Sequence, residues 1–86
     1  LYLEHLHLDF NQIEFFKIEN LLNLKELDLS NNYRLKSIQL KNFEKLEDLK
    51  LRWTHLTNLS ISTFQNLSNL KNLHLTGGRL DNLNFL

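Results

Sequence analysis

Eighty-six residues suffice for one small domain, and no apolar run approaches the ~18 residues that would cross a bilayer. Ten Lys and Arg balance ten Asp and Glu, so the chain lacks the basic excess of a nucleic-acid footprint or a polybasic membrane patch. Leucine supplies 23 residues and asparagine 12, while Ala, Val, Pro, Met and Cys are absent, the bias of a chain in which one residue type fills one recurring slot.

The first alternation is HLHLD at 5–9, where Leu6 and Leu8 interleave with His5, His7 and Asp9. Period two puts the leucines on one face and the polar residues on the other, which predicts a short strand. ELDLS at 26–30, EDLKLR at 47–52 and NLHLT at 72–76 predict three more. After each strand the apolar spacing widens, as at Leu56, Leu59, Phe64 and Leu67, which predicts loops or short helical turns rather than strands. The pattern starts near Leu3, Leu24, Leu46 and Leu70, at intervals of 21, 22 and 24 residues. Self-similarity at that period predicts a solenoid with its short strands side by side in parallel, spanning 1–86 as one segment of about four repeats.

The stretches LEHLHLDFNQIEFF, LKELDLSNNYRLKSI and LEDLKLRWTHLTNLSISTFQNL resemble leucine-rich repeats. The longer form with a late aromatic, at Phe43–Leu46 and Phe64–Leu67, resembles extracellular receptor ectodomains such as Toll-like receptors and insect immune leucine-rich-repeat proteins. The resemblance implies an α/β solenoid, with a parallel sheet on a concave face and loops or short helical turns on the convex side. It also implies an extracellular or cell-surface home. Extracellular members usually carry disulfide-stapled caps, which a chain without Cys cannot form. Solenoids need polar ends, and this sequence opens on Leu1 and closes on Phe85-Leu86, so we expect a fragment of a longer solenoid, marginal or aggregation-prone alone, with a naturally cap-less small protein as the alternative.

Asn11 and Asn32 fall in the turn after the strand, where a buried amide can satisfy backbone groups that no strand partner reaches. In the family this is the asparagine ladder. Thr54 replaces part of it and Gly78 none, so the ladder weakens toward the C-terminal end. Leu35 follows Asn32 by one position more than in the first repeat, which predicts an outward bulge at Tyr33-Arg34.

Outward strand positions align in rows: His5, Glu26, Asp48, Asn72; then His7, Asp28, Lys50, His74; then Asp9, Ser30, Arg52, Thr76; and at the strand exit Phe10, Asn31, Trp53, Gly77. Cross-strand neighbours interact. The rows read as a polar plate with an acidic centre at Glu26, Asp28 and Asp48, flanked by His5 and His7 and by Lys50 and Arg52. Its plain alternative is a solvated sheet face. Trp53, the only Trp, lies outside the leucine register beside Arg52, and interfaces favour Trp and Arg as anchors. Its bland alternative is packing over the strand edge on Phe10 or Tyr33. The ligand-binding candidates are therefore Trp53, Arg52, Lys50, Asp48, Asp28, Glu26, His7 and His74. The register also pairs His5 with Glu26 and His7 with Asp28, which predicts a pH response near neutrality.

H-x-H-x-D at His5, His7 and Asp9 can be drawn as a metal site, but a solvated or salt-paired histidine pair is the stronger reading, and no metal or cofactor is assigned. Ser30, His7 and Asp28 can be drawn as a triad, yet on an open sheet they lack a pocket and oxyanion donors, so no enzyme is expected. Sequons at Asn58-Leu59-Ser60 and Asn66-Leu67-Ser68 are candidate glycosylation sites, although about one match arises by chance in so Asn-rich a chain. The expected function is a protein-binding recognition module, the inner repeats of a secreted or cell-surface protein such as an innate-immune receptor. Its partners would be a protein or microbial ligand on the concave face and the neighbouring repeats of the parent protein. The alternatives are an intracellular scaffold or adaptor and a purely structural spacer.

Overall fold

A computed structural model describes residues 2–56, 58–60, 64–65, 67–77 and 82–84, with the segments 58–60, 64–65 and 82–84 described in backbone alone. It contains strands β1 (His5–His7), β2 (Phe15–Glu19), β3 (Glu26–Asp28), β4 (Ser37–Lys41), β5 (Asp48–Lys50), β6 (Asn58–Ser60), β7 (Phe64–Gln65), β8 (Asn72–His74) and β9 (Asn82–Asn84). Among the described residues every pairing is parallel, and the strands form three sheets, in the orders β1-β3-β5-β8, β2-β4-β7 and β6-β9.

In the first sheet His5 pairs with Glu26, Glu26 with Asp48 and Asp48 with Asn72. The four alternations read from the sequence are these four strands, and the chain returns to the same register once per leucine repeat. The ladder extends past the strand ends: Leu8 N–H donates to Asp28 O, Leu29 N–H to Lys50 O and Leu51 N–H to His74 O. The core is Leu24, Leu27, Leu29, Leu35, Leu40, Phe43, Leu46 and Leu49, each fully buried, with Leu51, Leu56 and Ile38 nearly so. Leu6, Leu8, Leu73 and Leu75 are only half-buried, because β1 and β8 are the edge strands of their sheet and are covered on one side.

The return segments differ from expectation. They are strands where loops or helical turns were predicted, and no helix occurs among the described residues. Leucine spacing alone hid the reason. Phe16 and Ile18 alternate with Phe15, Lys17 and Glu19, and buried Ile38 and Leu40 alternate with exposed Ser37, Gln39 and Lys41. That is the period of a half-buried strand. A tight turn then leads back to the first sheet, closed by Leu24 N–H to Leu21 O, Leu46 N–H to Phe43 O and Leu70 N–H to Leu67 O. Tyr33 and Arg34 are exposed on a turn of their own, closed by Leu35 N–H to Asn32 O.

Candidate functional site

On the outer face of the first sheet, His5 Nδ1 and His7 Nε2 meet the same Glu26 oxygen, Oε1, at 3.1 and 2.9 Å. Lys50 Nζ reaches Oε2 at 3.0 Å. An ionised carboxylate only accepts, so both imidazoles donate. The His7 bond, then the Lys50 bond, hold the Glu26 carboxyl down to about 2. Reciprocally, Glu26 raises the His7 imidazole above its ordinary value, with the charges of Asp28 and Asp9 acting the same way, and raises the Lys50 ammonium. The register placed His7 beside Asp28, but Asp28 Oδ1 instead accepts the Ser30 N–H at 2.9 Å, which leaves Glu26 as the histidine partner.

Asp48, His74 and Arg52 form a second chain. Asp48 Oδ1 lies 2.8 Å from His74 Nε2, and His74 Nδ1 lies 2.8 Å from Arg52 Nη2. A guanidinium cannot accept a hydrogen bond. Nδ1 is therefore the acceptor, the imidazole proton sits on Nε2, and it is donated to Asp48. The predicted acidic centre is thus engaged within the sheet: Glu26 by three cationic or imidazole groups, Asp48 by His74, Asp28 by a backbone amide. Among the described residues no carboxylate is ion-paired with Arg52.

The strand-exit row has one conformation in common. Phe10, Asn31, Trp53 and Gly77 have φ of 57°, 59°, 57° and 78°. Their amides continue the ladder, with Phe10 N–H on Ser30 O, Asn31 N–H on Arg52 O and Trp53 N–H on Thr76 O. Gly and Asn enter this left-handed region easily, whereas a bulky aromatic there is strained by roughly 1–3 kcal/mol. Phe10 is 74 % exposed, Tyr33 64 % and Trp53 50 %. Trp53 packs on Gly77 of the next repeat, and among the described residues no ring pair joins it to Phe10 or Tyr33, the two neighbours weighed from sequence. A Cβ added at Gly77 would lie 2.6 Å from Trp53 Cε2 and closer still to Cδ2 and Cε3, so the indole occupies the space a side chain would need.

Asn32 is fully buried; its amide donates to Leu8 O, Leu29 O and Ser30 O, and its Oδ1 accepts the Ile13 N–H. Thr54 is buried and donates to Leu51 O. Asn11 donates to Leu8 O and Asp9 O but is exposed. A second asparagine pair escaped the sequence reading: Asn20 and Asn42 follow β2 and β4 with φ of 68° and 64°, and Asn42 Nδ2 donates to Asn20 Oδ1 at 2.7 Å. The only sequence signal was an Asn ending each alternation, a residue type that tolerates positive φ. Asn58 lies in β6, described in backbone alone, while Asn66 and Gly78 lie outside the described residues. Ser30 Oγ accepts the Arg52 N–H and His7 is held by Glu26, so Ser30, His7 and Asp28 do not assemble as a triad. No cluster of three metal-ligating side chains occurs among the described residues.

No protein-family model matches this chain, and no curated protein or solved structure matches it significantly.

Proposed function

We propose that this chain is a recognition module, a run of leucine-rich-repeat coils from a secreted or cell-surface protein, that binds a protein or microbial ligand on the face of β1, β3, β5 and β8. The reading assigns no catalytic step and no cofactor. Its main support is Trp53, an aromatic held in a strained backbone conformation and left half-exposed beside an Arg that has no carboxylate partner among the described residues. Strain persists where surrounding structure enforces it, and it clusters at functional sites. Trp53→Ala should weaken ligand binding by at least ~2 kcal/mol, the loss expected of an interface hot spot. Arg52→Ala should weaken it as well.

The pairing of Glu26 with Lys50 and of Asp48 with His74 favours a second reading for mid-sheet, in which those charges only hold the strands together. If both Trp53→Ala and Arg52→Ala leave binding unchanged, the coils are spacers. Placement outside the cell rests on the resemblance and on the sequons. Mass spectrometry of secreted material should find glycan on Asn58 or Asn66, and bare sites would favour the intracellular scaffold.

A further inference from the structure

We infer that the rim formed by Trp53, Gly77 and Arg52 is a stacking platform for an acidic saccharide, with a pyranose ring laid on the outer indole face and its anionic group on the Arg52 guanidinium. The inference rests on the proposed recognition function, of which it names the ligand class.

Trp53 offers a face, not a knob. One side of the indole closes on the bare Cα of Gly77, and half of the residue is still open to water. Protein hot spots of this type usually bury an aromatic in a partner's pocket. With one side closed by Gly77, this ring presents its outer face instead. It can receive another flat surface, and the C–H groups on one side of a pyranose meet the electron-rich face of an indole favourably. The platform is also preorganised. The Trp53 amide is bonded to Thr76 O at 3.0 Å and the ring rests on the next repeat, so little freedom remains to be lost on binding.

The charge beside the ring selects the sugar. Arg52 gives Nη2 to His74, whose other nitrogen is tied to Asp48, so the guanidinium is aimed, and among the described residues no carboxylate neutralises it. An Arg fork takes a carboxylate or a sulfate through paired N–H bonds. On the preceding repeat, Asn31 donates its amide N–H to Arg52 O, and Tyr33 Oη donates to Asn31 Oδ1 at 3.1 Å. These add an amide and a phenol of the kind that bond sugar hydroxyls.

Trp53 is the only tryptophan, so its fluorescence and its indole N–H resonance report on this rim alone. The full chain should be titrated with a trigalacturonate, a heparin-derived tetrasaccharide and neutral cellotriose. A saturable Trp53 response to one acidic probe, at least 10-fold tighter than to cellotriose, is expected, and which probe responds separates carboxylate from sulfate. Arg52→Gln should bring the acidic probe down to the neutral level. Gly77→Ala should abolish the response to all three while leucine methyl resonances remain native-like; if that variant fails to fold, Arg52→Gln alone carries the test. Absence of a saturable response to either acidic probe, or equal affinity in Arg52→Gln, overturns the inference. If the saccharides fail while Trp53→Ala still abolishes binding of a protein ligand, only the saccharide is lost. If Trp53→Ala affects neither, the recognition function falls with it.

Discussion

A single amide at Asn32 serves two repeats at once. It closes its own turn through Leu29 O and Ser30 O and reaches the preceding repeat through Leu8 O and the Ile13 N–H. Removing it leaves buried backbone groups unpaired, which costs roughly 1–3 kcal/mol in all but the most forgiving sites. Urea denaturation of Asn32→Ala should show a loss in that range. Asn11→Ala should cost less, because water can replace the bonds of an exposed amide. A loss at Asn32 no larger than at Asn11 would mean the site relaxes around the gap. Asn32 was legible in the sequence because the turn after a strand leaves backbone groups that a buried amide can satisfy. The seat of Trp53 was not. Trp gives no warning of positive φ, and the glycine it covers lies 24 residues further on, in the next repeat.

At the scale of strands, position in the sheet decides how much each leucine contributes. Leu49 is at the centre of β5, paired on both sides and fully buried, whereas Leu73 is on edge strand β8 and half-buried. Leu49→Ala should cost roughly 2–5 kcal/mol, the range of core leucines. Leu73→Ala should cost clearly less, because a partly open site can let water or neighbours fill the gap. Equal losses in thermal or urea unfolding would contradict this burial gradient. The four outer strands and their parallel register were readable because alternation and repeat length point the same way. The second sheet was not, because its inward residues mix Phe, Ile and Leu and its alternation is visible only when all apolar types are counted together. Which acidic residue the histidines choose was also hidden. Register brings Glu26 and Asp28 within reach, and the choice turns on Asp28 being taken by the Ser30 amide.

Across the whole molecule, formal charges cancel, but they are arranged so that one carboxylate joins three strands. Glu26 on β3 binds His5 and His7 on β1 and Lys50 on β5. Its carboxyl falls from 4.5 to about 2 in the folded chain, so its contribution is present above pH 4.5 and lost as pH falls through about 2. The His7 imidazole is raised above 6.5, so its contribution is present below pH 6.5 and lost as pH rises through the folded value. Together they define a window between about pH 4.5 and 6.5 in which the hub is strongest. Other carboxylates also respond to acid, so the informative quantity is the difference in unfolding midpoint between the wild-type chain and Glu26→Gln. That difference should be largest inside the window and should shrink on both sides, because the acid limb and the neutral limb depend on the same carboxylate. Added salt should shrink it too, since the histidines are exposed and their pairing is screened. A difference that stays constant from pH 3 to pH 8 would show that Glu26 acts by packing alone, with the histidines as bystanders.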